Sequence, residues 1–163
     1  MEESPVTEKP QQTSPEPADD MSDAAMRTHL GYSLKRTYLV VHQVASDALD
    51  PFGLKVRSFS ALSLIVANPG ITPSRLAELL KIERSNLVLI LDDLETRDLI
   101  GRTRDPGDRR RYALSATLAG RRLQEKATLA TTRAEQRLTD RLSADEQDTL
   151  LALLRRIEDG LAG

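Results

Sequence analysis

The segment Arg102-Thr-Arg-Asp-Pro-Gly-Asp-Arg-Arg-Arg111 carries five arginines and two aspartates around a Pro-Gly turn. Guanidinium groups stay charged, offer forked donors and shed water more readily than ammonium groups, so such a segment suits a polyanion groove. The flanking runs Ile100 to Thr103 and Arg110 to Ser115 have the composition of two short strands, which would make the segment a cationic hairpin finger. A solvated surface hairpin held by Asp–Arg pairs explains the same residues equally well. The elements that would have to position the finger decide between the two.

Charge is unevenly distributed. Residues 1–20 hold six acids, one lysine and four of the eight prolines, a net of −5, while the whole chain is −2, so the remainder carries +3. Residues 101–122 alone hold seven arginines against two aspartates. An acidic chain thus conceals a basic site. Arginine outnumbers lysine 18 to 5, which favours forked recognition over general solubility. Residues 1–21 are expected to form a disordered, acidic, Pro-rich tail, having too few apolar side chains to offset ordering entropy.

With no cysteine in the chain, disulfides, thiolate metal sites and thiol redox sensing are excluded. The histidines, His29 and His42, make no metal-ligand pattern, so no metal is expected. Asp92 and Asp93 occupy adjacent, non-facing helical positions and are expected to be solvated. No phosphate loop or nucleophile elbow occurs. The expectation is a protein that is not an enzyme and carries no cofactor. No apolar run approaches the ~20 residues of a membrane span, and no secretory signal opens the chain, which points to a cytoplasmic protein with no membrane partner.

From Ser22 onward the pattern is helical. Leu30, Leu34, Tyr38, Val41, Ala45 and Leu49 recur at steps of three and four, giving a long first helix ended by Pro51 and Gly53. Leu39, Val40 and Val44 widen its apolar face. A second helix carries Phe59, Leu62, Ile65 and Val66 and stops at Asn68-Pro-Gly70. Thr72 caps a third, with Pro73 at its first position. Only Lys81-Ile82-Glu83 separates this from a fourth helix, and Ala77 and Ile82 supply the small residue and apolar plug that so tight a crossing needs. The arginine finger comes at once after it. The order spells a winged helix-turn-helix over 53–116, mainly α with a small β-hairpin wing. A fifth helix runs from near Thr117 to about Asp140. A sixth opens on the capping box Ser143-Ala-Asp-Glu146 and continues through Leu150, Leu153, Leu154, Ile157 and Leu161. Residues 22–52 and 117–163 are read as dimerisation helices, because a winged domain has no room to cover their apolar faces.

From Leu80 to Gly120 the chain resembles the MarR family of dimeric bacterial transcription regulators. The matching residues are Leu-x-Ile at 80–82, Ser85, Asp92, Leu94-Glu95, Leu99-Ile100, Arg102, Asp105-Pro106, Asp108-Arg109-Arg110, Thr117-x-x-Gly120 and Arg121. The resemblance implies a homodimer on inverted-repeat duplex DNA, with recognition helices in successive major grooves and wings in the flanking minor grooves. It implies DNA contacts from Thr72, Ser74, Lys81, Arg84, Ser85, Asn86 and Arg104, and from Arg109 and Arg110, one of which enters the minor groove while Asp108 pairs with the other to hold the wing.

The chain departs from the family pattern at several positions. Leu89 and Asp93 stand where the family usually has basic residues, which shifts base readout toward Arg84 and Asn86, with Val88 or Leu89 against thymine methyls. Asp98 replaces a helix-ending glycine, Lys81 a turn glycine, and Ala116 a larger apolar residue.

Members of the family often bind small aromatic anions between the first two helices and the helix after the wing. On that model the effector residues here are His29, Tyr32, Arg36, His42, Arg57 and Phe59, since arginine beside an aromatic ring suits a planar carboxylate. Structural packing is the plainer reading of the three aromatics on or near the first two helices, Tyr32, Tyr38 and Phe59. Acyl-coenzyme A thioesters are the other effector class, with Lys35, Arg36 and Arg57 as cations for the phosphates. The Arg84-Ser-Asn-Leu-Val segment is most similar to the branch that controls breakdown of hydroxycinnamates and other aromatic acids. These readings make a ligand-released repressor. The alternative is a winged-helix module that binds an acidic protein and no duplex DNA.

Overall fold

The computed structural model describes residues 22–105 and 108–160, with the side chains of residues 104–111 outside the described set. The tail over 1–21, the Pro106-Gly107 turn and Leu161 lie outside the described residues. Residues up to Arg36 and from Thr37 onward form two separate units, so the junction falls inside the first helix.

In the first unit a 3₁₀ turn, Met26–Thr28, leads into helix α1, Leu30–Leu49. The turn is closed by the Asp23 carbonyl, which accepts from the Met26 and Arg27 amides at 2.9 and 3.1 Å.

The second unit holds the remainder. Helix α1 ends where Pro51 enters a second 3₁₀ turn and Gly53 takes a left-handed φ of 61°. Helix α2, Val56–Ala67, buries Ser58, Ala61, Leu62 and Ile65, a helical stripe facing the core. Helix α3, Pro73–Leu80, starts as its sequence requires: the Thr72 hydroxyl accepts from the Arg75 amide at 3.3 Å, with Pro73 in the first turn. Lys81 ends it with φ 51°, and helix α4 begins at once over Arg84–Thr96. The left-handed turn is thus made by a lysine, and a second one by Asp98 at φ 54°. Both are positions where a side chain with a Cβ carries a cost that glycine avoids.

Strands β1, Ile100–Asp105, and β2, Asp108–Ala116, pair antiparallel, with Ile100 opposite Ala116, Arg102 opposite Leu114 and Arg104 opposite Tyr112. Both run further toward the tip than the expected 100–103 and 110–115. The register shifts between Arg104 and Asp105. Ile71, in the loop before α3, adds a bridge to Leu114 and ties the wing's base to the helix-turn-helix. Ala116, small at the wing's exit, is buried.

Helix α5, Leu118–Leu138, and helix α6, Ala144–Asp159, complete the described chain. The Ser143 capping box is formed, with the Glu146 carboxylate accepting from the Ser143 amide at 2.8 Å. That contact holds the Glu146 carboxyl below the usual carboxylate range. One apolar cluster joins Leu49, Leu54, Leu62, Ile65, Leu76, Leu87, Leu91, Leu94, Leu99, Ile100, Leu114 and Ala127, so every helix but α6 and both strands contribute to it. Truncating a fully buried member such as Leu62 to alanine would cost about 2–5 kcal/mol. Helix α6 buries none of its residues, and α1 buries only Leu49. Among the described residues no helix is long and apolar enough to cross a membrane.

Candidate nucleic-acid interface

Because the turn between α3 and α4 is only three residues long, the start of α4 stands clear of the core. Arg84, Ser85 and Asn86 are all exposed there, while Leu87, Leu91 and Leu94 on the opposite face are buried. With Ser74 and Lys81 they line an open groove of about 660 Å³ that Arg57, at the start of α2, also enters. Thr72 is exposed at the head of α3, though its hydroxyl is engaged as the cap. Side chains on the first turn of such a helix can reach base edges, and the cations beside them can meet phosphates. Val88 and Leu89 are exposed as well, Leu89 at 70%, which a soluble helix tolerates singly but which also suits contact with a thymine methyl.

The wing is anchored to this helix. The Arg102 guanidinium bonds to Asp92 through Nη2 and pairs with Glu95 at 2.9 Å through Nε, so one strand residue grips two positions on α4. Asp92 and Asp93, expected to be solvated, are exposed but not idle, since Asp93 lies 3.6 Å from Arg97. Arg97 in turn donates to the Gly53 and Phe52 carbonyls at 2.8 and 3.0 Å, fastening the end of α4 to the turn after α1. Sequence reasoning counts Arg102 as part of the finger and misses both anchors. A basic residue ten positions after an acid on a helix is the available signal, but it is a common one. Of the wing residues expected at DNA, the side chains of Arg104, Asp108, Arg109 and Arg110 lie outside the described residues.

At the base of the wing, Thr117 makes the bends possible. Its hydroxyl donates to the Asp98 carbonyl at 2.7 Å and accepts from the Gly120 amide at 3.0 Å, and its own amide donates to the Leu99 carbonyl at 3.0 Å.

A second groove, about 600 Å³, lies on the same unit between α1, α2 and α4, lined by Tyr38, His42, Lys55, Arg57, Asn86 and Leu89 among others. Two of the expected effector residues, His42 and Arg57, meet there. Tyr38 joins them, its ring centroid 5.4 Å from that of His42; the sequence marks it only as part of an apolar face. Phe59 packs against the core. Arg57 and Asn86 line both grooves. In the first unit Tyr32 and Arg36 are one turn apart, the guanidinium 5.9 Å from the ring centre, and both contact Asp23. His29 is exposed.

Comparison with known proteins matches this architecture. A protein of Thauera aromatica, named as a putative transcriptional regulatory protein for the hcr operon, is 32% identical over 139 residues, 85% of this chain and 84% of its own length. The MarR family model matches residues 52–111, which span α2 to the wing. The chain belongs to the MarR family of transcription regulators. Among solved structures, the transcriptional repressor CouR bound to a 23-mer DNA duplex is 39% identical, with a TM-score of 0.81 over 86% of this chain and 99% of that one. CouR from Rhodococcus jostii RHA1 bound to p-coumaroyl-CoA is 32% identical, with a TM-score of 0.70 over 82% and 91% of the two chains. The MarR signature noted in the sequence now has a physical content: Asp92 and Arg102 join the wing to α4, and Thr117 and Gly120 build the corner after it.

Proposed function

We propose that this MarR-family regulator is a homodimeric repressor that binds inverted-repeat duplex DNA and is released by an aromatic carboxylate or its coenzyme A thioester. The observation that carries the DNA reading is the exposed Arg84-Ser85-Asn86 face, flanked by Ser74 and Lys81 and coupled through Arg102 to an arginine-rich wing. Asn86, and Arg84 beside it, are assigned to base edges. Thr72, Ser74 and Lys81 are assigned to the phosphate backbone, Arg104 to a DNA contact from the wing, and one of Arg109 and Arg110 to the flanking minor groove, with Asp108 pairing with the other.

The effector reading rests on two supports. His42, Arg57 and Tyr38 share a groove whose wall continues into the recognition helix through Asn86 and Leu89. A relative of similar sequence was solved with p-coumaroyl-CoA bound. An effector in that groove would touch the residues that read DNA, which gives it unequal contacts in the bound and free states, as release requires.

The test is operator binding measured against salt for three proteins: the wild type, Asn86→Ala and Lys81→Gln. Asn86→Ala is expected to narrow the gap between operator and random duplex by about 1–3 kcal/mol. Lys81→Gln is expected to weaken binding to all sequences alike and to reduce the salt slope by about one. Equal loss of specificity in both variants would contradict the assignment. Failure of the wild-type protein to bind any duplex would leave the winged domain as a protein-binding module.

A further inference from the structure

In the first unit, one carboxylate gathers two guanidinium groups and a phenol around it. The Asp23 carboxylate accepts from Arg27 Nε at 2.7 Å and from the Tyr32 hydroxyl at 2.9 Å, and pairs with Arg36 Nη1 at 2.9 Å. Arg36 lies 5.9 Å from the centre of the Tyr32 ring. Two guanidinium groups, a phenol donor and an aromatic face are what a planar oxyanion would be offered by a receptor. Here one of the protein's own carboxylates takes them.

The plain alternative is that Asp23 serves the local turn. The turn, however, does not need the side chain. It is closed through the Asp23 main-chain carbonyl, to the Met26 and Arg27 amides. The carboxylate is therefore free to leave its partners without opening the 3₁₀ turn. Its side chain is 28% exposed, and those of Arg27 and Arg36 are 57% and 51% exposed, so water and ligands can reach the clamp and the pairs are screened. The hydrogen bond from Arg27, then that from Tyr32, hold the Asp23 carboxyl below its usual range, which keeps it anionic at neutral pH.

We infer that Arg27, Tyr32 and Arg36 form an oxyanion site for the effector and that Asp23 is its resident competitor, which an incoming ligand must displace. The inference rests on the proposed release by an aromatic carboxylate or its coenzyme A thioester; the family resemblance implies Tyr32 and Arg36 for that ligand, and the geometry adds Arg27 as a third member and Asp23 as the device that sets the ligand threshold. The shared chemistry is an oxyanion attached to, or carried beside, an aromatic ring. It has two sources: the carboxylate of a free aromatic acid, or a phosphate of a coenzyme A ester.

The experiment titrates the full chain with p-coumarate, with coenzyme A and with neutral methyl p-coumarate. Asp23→Asn keeps the size and one acceptor oxygen and removes the charge; Asp23→Ala removes the group, and circular dichroism checks that both remain folded. Both variants are expected to bind one anionic probe about two- to five-fold more tightly than the wild type, the scale that exposed ion pairs allow. Arg36→Gln is expected to abolish that gain, and the neutral ester is expected to be unaffected throughout. Tighter p-coumarate alone assigns the site to a carboxylate, and tighter coenzyme A alone to a phosphate. No gain, a gain shared by the neutral ester, or no binding of either anion to any of the proteins overturns the inference. Operator release by p-coumaroyl-CoA is measured in parallel on the wild type. Release without any gain in the Asp23 variants leaves the repressor reading standing and removes only the resident competitor. A gain without release does the reverse.

Discussion

A Cβ built on Gly120 would lie 2.0 Å from the Leu99 carbonyl oxygen and 2.9 Å from its carbon, distances that side chains do not occupy. The first turn of α5 therefore passes against the main chain at the root of the wing, and only hydrogen fits. Thr117, three residues earlier, supplies the hydroxyl that bridges the Asp98 carbonyl and the Gly120 amide. Gly120→Ala is expected to destabilise the fold by about 1–3 kcal/mol, through a clash with backbone that cannot rotate away. Thermal unfolding should show it as a loss of several degrees in Tm, since about 2–4 °C accompanies each kcal/mol at this size. An unchanged Tm would mean that the helix start relaxes freely. Thr117-x-x-Gly120 is legible in the sequence as a motif, but the close approach that demands the glycine is not, because it depends on a carbonyl 21 positions away. Likewise Asp98 and Lys81 are legible as residues standing where glycine is usual; both adopt the left-handed conformation that their positions demand.

At the scale of elements, Arg102 ties the wing to α4. Each of its pairs, to Asp92 and Glu95, is partly exposed and worth about 0.2–1 kcal/mol taken alone. Arg102→Ala should therefore lower stability by no more than roughly 1–2 kcal/mol. Its effect on operator affinity should exceed its effect on stability, because a wing without its strut incurs an ordering cost each time it binds. Measuring both quantities for Arg102→Ala, Asp92→Ala and the double variant isolates the coupling. Additive losses in DNA binding would show that the pair does not position the wing. The helix order is readable from periodicity, caps and breakers: Thr72 and Ser143 cap as their sequence suggests, and α1 stops at Pro51. What periodicity does not give is contact between elements. Arg102, Arg97 and the Ile71–Leu114 bridge act across 10, 44 and 43 positions, and no local pattern marks them. For the same reason the residues of the second groove, which joins Tyr38 and His42 to Arg57 and Asn86, are scattered in the sequence and meet only once the helices pack.

At the scale of the molecule, the first and last helices present apolar side chains that the other described residues do not cover. Leu150, Leu151, Leu153 and Ile157 on α6 are 44–50% exposed, and Tyr38, Leu39 and Val40 on α1 are 55–61% exposed. Apolar exposure repeated along one helix marks an interface more often than a free surface, and two-fold pairing with a second copy would also set two recognition helices at a fixed spacing. Leu153→Glu with Ile157→Lys should yield monomer or aggregate by light scattering, with loss of binding to an inverted repeat; a soluble dimer that still binds operator would remove α6 from the interface. In such a dimer, a ligand that favoured a different spacing of the two halves would be linked to the operator. If the effector weakens operator binding by a coupling of about 1–3 kcal/mol, a factor of roughly 5–150, then saturating operator must weaken effector binding by the same factor. Titrating p-coumaroyl-CoA with and without operator measures both sides of the cycle. Ionic strength separates the two sources of that coupling: a phosphate-bearing ligand held by exposed cations should bind more weakly as salt rises, while a buried aromatic acid should change little. Unequal factors on the two sides would mean that the two titrations do not report one closed equilibrium cycle. A shift in operator affinity below twofold would retire ligand control by this class of compound and leave the DNA-binding assignment intact.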